Sequence, residues 1–364
     1  MIDGKSIALV IPTIRENCFN DFVDRWESIG LFKHIDQFFV VEDNPTRTFK
    51  IDQNIHPGLF HYSWEDITRM GDSEWIIPRR SDTVRSYGYL QAYRSGCNLI
   101  LTLDDDCYPP TADKDGLEYG GLGFLKSHIA ALGRNRWFNT LNSVKPRGIP
   151  FYNLGTQFDR IIVNHGLWTN VLDYDAPYQL ANPIKEEFSF DSRVVPAGFY
   201  FPMCGMNVMW QRNATVLMYH LLMGRRKAMT DNVPNLDKDG LIKLPFDRFG
   251  DIWCGIFMKK IADDNSLFVT TGMPYIRHER ASNPFTNLKK EANGIEVNEH
   301  LWEHVDRCVF NREILGDLSQ CYAHLGNHVR TFTKAFPQYS EHEQYFDLLG
   351  KAMVQWSVYF REAR

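Results

Sequence analysis

The chain has 364 residues, enough for one large domain or two ordinary ones. Hydrophobic residues make up 44% of it and charged residues 23%, which is typical of a soluble globular protein. The formal net charge of −5 argues against a general nucleic-acid-binding protein, so we expect no nucleic-acid partner. The sequence has no run of about 18 apolar residues, so we also expect no membrane span.

Seven cysteines are scattered along the chain, and no two have the Cys-x-x-Cys spacing of a zinc or redox site. Their odd number favours reduced thiols over a disulfide framework. The apolar residues 7–11 are too few for the core of a secretory signal peptide, and they end at Pro12. We therefore expect a cytoplasmic protein.

The N-terminal half alternates short apolar runs with segments of helical spacing. Residues 7–11 and 38–41 predict buried strands, whereas residues 19–31 and 82–93 predict helices. This β-α-β order predicts an α/β fold with a mainly parallel sheet and helices on both faces. Ligands of such sheets bind at the carboxyl ends of the strands.

The apolar run at residues 99–103 ends in three consecutive carboxylates, Asp104, Asp105 and Asp106. Adjacent like charges repel one another, and a hard divalent cation such as Mg²⁺ or Mn²⁺ takes oxygen ligands that relieve this repulsion. Side chains alternate along an extended chain, so Asp104 and Asp106 are expected to point one way and Asp105 the other. The pattern predicts a metal site that holds a diphosphate, with a solvated acidic turn as the alternative.

Two further polar residues are expected near this run. Asp43 follows the predicted strand at residues 38–41, so it should share a crevice with the three aspartates. Arg85 lies upstream in the predicted helix, where it either neutralises phosphate or belongs to a solvated helix face. The sequence contains neither the GxxxxGK[ST] nor the GxGxxG phosphate loop.

The second half of the chain has a less regular pattern. Residues 139–210 are rich in Gly, Pro, Asn and aromatics, which suggests irregular substrate-binding structure, and residues 225–243 are expected to form an exposed loop. From residue 301 onward the apolar spacing is helical. We therefore divide the chain into a catalytic domain, residues 1–300, and a C-terminal helical extension packed on it, residues 301–364.

Several segments match a known family in order along nearly the whole chain. They are Val10-Ile11-Pro12-Thr13-Ile14-Arg15, Arg85-Ser86-Tyr87-Gly88-Tyr89, Leu103-Asp104-Asp105-Asp106-Cys107, Phe138-Asn139-Thr140-Leu141, His165-Gly166-Leu167-Trp168, Asp173-Tyr174-Asp175-Ala176-Pro177, Phe201-Pro202-Met203-Cys204-Gly205-Met206-Asn207 and Ala281-Ser282-Asn283-Pro284-Phe285. With these segments the chain resembles the reversibly glycosylated polypeptides, the plant UDP-arabinopyranose mutase family.

The resemblance implies a GT-A-like (Rossmann-like) fold, with a mixed, mainly parallel sheet flanked by helices. It also implies a divalent metal, Mn²⁺ or Mg²⁺, a UDP-sugar substrate and no flavin. Members of the family interconvert the pyranose and furanose forms of UDP-arabinose, and they become reversibly glycosylated on an arginine. That arginine aligns with Arg147 in Arg147-Gly148-Ile149-Pro150-Phe151.

Residue roles follow from the motifs and the resemblance together. Asp43 is expected to contact the nucleoside, and His278 to join the metal although an isolated histidine is more often structural. Asp251 is a candidate base or sugar-hydroxyl ligand. The candidate site residues are Arg147, Asp251 and Asp105 for catalysis, Asp43, Arg85, Asp104 and His165 for the nucleotide sugar, and Asp104, Asp106 and His278 for the metal.

One segment departs from the family pattern. The plant proteins carry a second functional arginine shortly after the first, where this chain reads Phe151-Tyr152-Asn153-Leu154-Gly155. Arabinose specificity therefore does not follow from the resemblance. We prefer a pyranose–furanose mutase, with a glycosyltransferase that uses an external acceptor as the alternative. A non-catalytic scaffold is disfavoured by the intact aspartate run, and a homo-oligomer is left open.

Overall fold

The computed structural model describes residues 1–135, 156–157, 160–171, 173–181, 190–229, 235–279 and 283–361. The strands are β1 (Ile7–Thr13), β2 (Gln37–Glu42), β3 (Leu59–Tyr62), β4 (Leu99–Leu103), β5 (Cys107–Tyr108), β6 (Arg134–Asn135), β7 (Thr156–Gln157), β8 (Ile161–Asn170), β9 (Arg193–Val194), β10 (Asn207–Gln211), β11 (Arg225–Lys227), β12 (Leu241–Lys243) and β13 (Phe268–His278). The helices are α1 (Glu16–Ser28), α2 (Trp64–Thr68), α3 (Arg85–Arg94), α4 (Ala112–Asp115), α5 (Gly121–Leu132), α6 (Ala176–Ala181), α7 (Gly250–Asp264), α8 (Pro284–Asp306), α9 (Leu318–Val329), α10 (Phe332–Ala335) and α11 (Glu343–Val358). Short 3₁₀ segments lie at Phe32–His34, Gln53–Ile55, Gly71–Ile76, Asp82–Val84, Arg212–Met218 and Pro337–His342.

The main sheet of the described residues has nine strands in the order β3-β2-β1-β4-β10-β8-β13-β5, with β9 paired to β13. Strands β3, β2, β1 and β4 are parallel neighbours, and so are β8 and β13. Strand β10 is antiparallel to both β4 and β8, so β4, β8 and β13 all run the same way. This mixed α/β sheet flanked by helices, with its C-terminal helical region, confirms the predicted α/β fold class.

Each face of the sheet covers a separate hydrophobic core. Every residue of β1 and β4 is buried, as expected for central strands with helices on both faces. On one face, Trp26 of α1 and Phe124 of α5 pack against the sheet. On the other face, a larger core includes Trp210 of β10 together with Trp356 of α11. The C-terminal helices therefore share a core with the sheet.

Helix α8 (Pro284–Asp306) extends across residue 300, the predicted boundary between the two domains. Its buried residues Val297, Leu301 and Val305 belong to the same core as the C-terminal helices. The division into domains 1–300 and 301–364 stays a prediction. Within the part of the chain that the structure describes, none of the helices has both the length and the apolar character needed to span a bilayer.

The expectation of an exposed loop at residues 225–243 is wrong at both ends of that segment. Strands β11 and β12 pair there as an antiparallel hairpin. Leu241 is 2% exposed and belongs to the larger core. The segment is polar overall, so its short apolar face did not stand out from the sequence.

Helix α3 crosses the sheet closely at Gly88. A Cβ on this residue would lie 2.5 Å from Val10 Cγ1 and 2.8 Å from Val41 Cγ2. Overpacking of this kind costs about 1–3 kcal/mol, so we expect Gly88→Ala to lower the free energy of unfolding by that amount in urea denaturation. In the control Gly123→Ala, also in a helix, the new Cβ meets nothing within 4 Å. Gly123→Ala should raise the free energy of unfolding by up to about 1 kcal/mol. Equal stabilities of the two variants would contradict the close approach of helix α3 to the sheet.

Candidate functional site

The candidate site is a polar cleft at the edge of the sheet where the parallel strands end. Arg15 follows β1, Asp43 follows β2, and the aspartate run follows β4, while His278 is the last residue of β13. These strands all run the same way, because β10 is antiparallel to its neighbours on both sides. The carboxyl ends of parallel strands meet at one edge of a sheet. Residues more than a hundred positions apart are thereby brought to one edge.

The aspartate run presents its side chains in two directions. Asp104 and Asp106 line one cavity, in which Arg85 Nη2 donates to Asp104 Oδ1 at 2.6 Å and Arg15 Nη2 to Asp106 Oδ2 at 3.2 Å. Asp105 is 3% exposed and accepts hydrogen bonds from Thr13 Oγ1, at 2.7 Å, and from Arg15. Burial raises the pKa of Asp105 to about 6. Asp105 thus holds Arg15, and it lines a neighbouring cavity rather than the one that Asp106 lines.

His278 lines the same cavity as Asp104 and Asp106. Its Nδ1 lies 2.8 Å from the carbonyl oxygen of Val171, so Nδ1–H donates to that oxygen and Nε2 is the nitrogen left for a ligand. Histidines that bind metals typically donate their second nitrogen in this way. Two carboxylates and an imidazole nitrogen are donors that suit Mn²⁺ or Mg²⁺, so the residue types fit the expected cation.

The carboxylates are, however, held by arginines in this structure. Among the described residues, no group of three or more His, Cys, Asp or Glu side chains has the spacing of an assembled metal site. Burial and the charge of Asp104 both raise the pKa of Asp106. A divalent cation would relieve that repulsion, because it neutralises neighbouring carboxylates.

Asp43 organises one end of the cleft. Its Oδ1 accepts hydrogen bonds from Trp64 Nε1 at 2.7 Å and from the backbone N–H of Arg80 at 3.0 Å, while Oδ2 accepts from the backbone N–H of Ser81 at 3.0 Å. Burial raises the pKa of Asp43 to about 6. The Arg80 guanidinium lies 4.7 Å from the Trp64 ring and pairs with Asp239. Asp43 therefore fixes a turn beside a cavity of about 400 Å³.

A second cavity, of about 240 Å³, continues the cleft in the other direction. Four cationic side chains line both cavities, namely those of Arg15, Arg85, Arg248 and Lys290. The far wall of the second cavity is acidic and includes Asp173 and Asp251. Cationic side chains in the middle of a cleft suit the phosphates of an elongated ligand, and carboxylates at one end suit the hydroxyl groups of a sugar.

Arg85 is part of the floor of the cleft. It is 1% exposed, and besides Asp104 its guanidinium donates to the carbonyl oxygens of Gly205, at 2.7 Å, and Asp82, at 3.0 Å. The alternative of a solvated helix face is therefore wrong. Burial opposes its charge, but Asp104 and Asp82 raise the pKa of Arg85 well above its ordinary value. Arg85 ties helix α3 to the aspartate run.

His165 lies behind the cavity wall. It is 3% exposed, its Nε2 accepts from the backbone N–H of Cys204 at 3.3 Å, and its Nδ1 lies 3.0 Å from Thr271 Oγ1. Burial lowers the pKa of His165 to about 4, so the ring is neutral at pH 7. The structure thus places His165 as a support for Cys204, which does line the cavity.

Several cleft residues were not singled out from the sequence. Arg15 and Asp173 lie within the family segments and could have been found there, whereas Asp82 and Arg248 carry no sequence signal of their own. Arg248 Nε donates to Glu291 Oε1 at 2.8 Å, which joins the start of α7 to α8 beside the cavity. Arg147, together with the Phe138-Asn139-Thr140-Leu141 segment, lies outside the described residues.

The fold and the cleft define an α/β protein with a polar ligand site at the carboxyl ends of its strands. The family model for "Reversibly glycosylated polypeptide" matches residues 2–364. The chain belongs to the reversibly glycosylated polypeptide family. It is 32% identical over 357 residues to "Probable UDP-arabinopyranose mutase 1" of Solanum tuberosum and to "UDP-arabinopyranose mutase 1" of Oryza sativa subsp. japonica. Each match covers 96% of this chain and 88% of the relative.

Among solved structures, the chain is similar to glucosyl-3-phosphoglycerate synthase from Mycobacterium tuberculosis in complex with Mn²⁺, UDP and phosphoglyceric acid. The TM-score is 0.43 at 12% sequence identity, and the match covers 82% of this chain and 78% of the other. A likeness of this size supports no inference about the ligand of this protein.

Proposed function

We propose that this protein is a metal-dependent enzyme that interconverts the pyranose and furanose forms of a UDP-linked sugar. The observation that best supports this proposal is a single cleft lined by three successive groups of side chains. Asp43, held by Trp64, lies at one end, cationic side chains and the aspartate run in the middle, and Asp173 with Asp251 at the other end. A nucleoside, a diphosphate and a sugar follow one another in the same order. The names of the curated relatives support arabinose as the sugar.

The middle of the cleft would hold the diphosphate. Arg15 and Arg85 already contact Asp105 and Asp104, so their guanidinium groups are oriented before a ligand enters. Asp104, Asp106 and His278 would hold the divalent cation, which when bound would neutralise the charge of the departing diphosphate. The arginines would keep the released UDP in place until it recaptures the rearranged sugar.

The assignment predicts that UDP binding depends on a divalent cation. Without the cation, the diphosphate would face the carboxylates of Asp104 and Asp106 directly, so like charges would meet. We expect EDTA to weaken UDP binding by more than about tenfold relative to Mn²⁺ in isothermal titration calorimetry, a loss of 1.4 kcal/mol. Equal affinities in the two buffers would contradict the metal assignment.

Incubation with a UDP-sugar alone tests the reaction itself. A mutase converts UDP-arabinopyranose into a new UDP-sugar isomer without an acceptor, and anion-exchange chromatography separates the two isomers. A glycosyltransferase would instead give only slow release of UDP and free sugar. A panel of UDP-pyranoses, including UDP-galactose and UDP-xylose, would define the sugar. Formation of an isomer from none of them would overturn the proposal.

Other properties remain expectations of the same proposal. All seven cysteines are described by the structure and carry free thiols, which supports a reducing compartment such as the cytoplasm. The absence of a flavin stays a prediction that follows from the family resemblance. Autoglycosylation of Arg147 and a homo-oligomeric state stay predictions.

A further inference from the structure

Two carboxylates, Asp173 and Asp251, lie at the end of the cleft that is proposed to hold the sugar. They accept hydrogen bonds from two consecutive residues, Cys204 and Gly205. The Cys204 thiol lies 3.1 Å from Asp173 Oδ2, and the backbone N–H of Gly205 donates to Asp251 Oδ2 at 3.0 Å. Asp173 comes from the segment after β8, and Asp251 from the first turn of α7. Both line the cavity, so both side chains can reach a ligand there.

Gly205 permits this close approach. A Cβ at this position would lie 2.7 Å from His220 Cε1, 3.3 Å from Arg85 Nη1 and 3.4 Å from Asp251 Cβ. A side chain would therefore push the Cys204-Gly205 turn away from the carboxylates that it joins. The arrangement is compact because the backbone itself, rather than a long side chain, holds Asp251.

Burial and the neighbouring charges favour the protonated form of Asp251. Burial, followed by the charges of Asp82 and Asp173, raises the pKa of Asp251 to about 7. Burial also raises the pKa of Cys204 well above its ordinary value, so its thiol stays protonated and donates to Asp173. Four cationic side chains line the same cavity, those of Arg15, Arg85, Arg248 and Lys290. Among the described residues, none of the four forms an ion pair with Asp173 or Asp251: Arg15 pairs with Asp105 and Asp106, Arg85 with Asp104 and Asp82, Arg248 with Glu291, and Lys290 with Asp247.

The buried imidazole of His220 lies beside Asp82, one of the carboxylates whose charge acts on Asp251. Its Nδ1 lies 3.9 Å from Asp82 Oδ2, and burial lowers its pKa. Although burial acts in the opposite sense, the His220 and Arg85 side chains hold the pKa of Asp82 below its ordinary value. Asp82 is thus ionised when Asp251 is protonated, which separates the protonation states of neighbouring carboxyl groups.

A change of ring size requires one proton to move between two oxygens of the sugar. UDP first leaves C1 of the pyranose with the electron pair of the C1–O bond, and an oxocarbenium ion forms. The hydroxyl oxygen O4 then bonds to C1 and releases its proton, after which the C1–O5 bond breaks, O5 keeps its electron pair and takes up a proton. A phosphate oxygen of UDP finally bonds to C1 of the furanose ring. The net change is one proton moved from O4 to O5.

We propose that Asp173 and Asp251 form the proton-transfer pair that accepts the proton from the attacking hydroxyl and supplies one to the ring oxygen. The inference rests on the proposed function and assigns the step that follows cleavage of the anomeric bond. One proton on the pair leaves one carboxylate as the base and one carboxyl group as the acid. Both side chains are catalytic residues in this assignment because both contact reacting oxygens.

Positional isotope exchange separates this step from cleavage of the anomeric bond. UDP-arabinopyranose with ¹⁸O in the bridge between C1 and the β-phosphorus scrambles that label whenever the bond breaks and re-forms, and ³¹P NMR detects the change. Asp173→Asn and Asp251→Asn should each slow ring interconversion by about 10²-fold or more, as expected for loss of an acid–base group. Label exchange should stay within about tenfold of the wild-type rate, because the diphosphate end of the cleft is unchanged.

The matched control is Asp264→Asn, which removes a carboxylate from the opposite end of helix α7. Asp264 pairs with Lys260 at 3.0 Å and its side chain is 39% exposed, so this variant should keep both rates. In the wild type, interconversion should fall as the pH rises through about 7, the pKa of Asp251, while label exchange does not fall with it. That difference would not arise if the two residues were only structural.

Each other outcome overturns the inference. If either asparagine variant keeps interconversion at the wild-type ratio to label exchange, that residue does not transfer the proton. If exchange and interconversion are lost together, the carboxylates act at the anomeric bond instead. If the wild type shows neither label exchange nor an isomer with any UDP-sugar, the proposed function itself fails.

Discussion

Asp106→Asn is expected to lower turnover of the UDP-sugar by about 10³-fold and to remove the effect of Mn²⁺ on UDP binding. The substitution keeps the size of the side chain but removes one of the two carboxylates that face His278 across the cavity. An amide oxygen is a weaker ligand for a hard divalent cation than a carboxylate oxygen. Steady-state kinetics and calorimetry with UDP, each with and without Mn²⁺, measure both effects.

Stability provides the internal check on this variant. Burial and Asp104 raise the pKa of Asp106, so the folded state disfavours its charge. Asp106→Asn removes that charge and should unfold at a temperature equal to or above that of the wild type. The control Asp113→Asn, at an exposed position in α4, should change neither turnover nor the response to Mn²⁺. Full turnover of Asp106→Asn would mean that the aspartate run is not the metal site.

Arg147→Ala is expected to reduce turnover by about 10²-fold or more, as for removal of a transition-state charge partner. The expectation follows from the family resemblance, in which Arg147 aligns with the glycosylated arginine. A guanidinium has a pKa above about 12, so it acts more readily as a clamp on oxygens than as a free nucleophile. UDP itself should bind within severalfold of wild type, because the substitution changes none of the described residues that line the cleft.

The lysine variant distinguishes charge from geometry at this position. Arg147→Lys keeps the positive charge but cannot form two parallel hydrogen bonds to one phosphate or sugar group. It should therefore recover little of the turnover that Arg147→Ala loses. Full turnover of Arg147→Ala on the best substrate would contradict the assigned role and would favour a glycosyltransferase with a different site.

The sequence by itself determined the features that depend on neighbouring residues. The apolar run at residues 99–103 becomes strand β4 at the predicted bounds, since a buried central strand needs apolar residues on both faces. Alternation along the extended chain separates Asp105 from Asp104 and Asp106. The conclusion that Asp43 lies near the aspartate run also held, because strands joined by a crossover helix end at the same edge. The segments that match the family in order along the chain also identified the family to which the chain belongs.

Only the tertiary structure decided which distant residues meet and how each is buried. His278 reaches the aspartate run because β5, which follows that run, pairs with the end of β13 and sets His278 opposite Cys107, a pairing that no local pattern reveals. Arg85 lies in the floor of the cleft, and His165 supports Cys204 from behind the wall. Asp173 and Asp251 come together only through the Cys204-Gly205 turn. The spacing of apolar residues indicates the local backbone geometry and which side of a helix or strand faces the core. Contacts between remote elements depend instead on the packing of the whole chain.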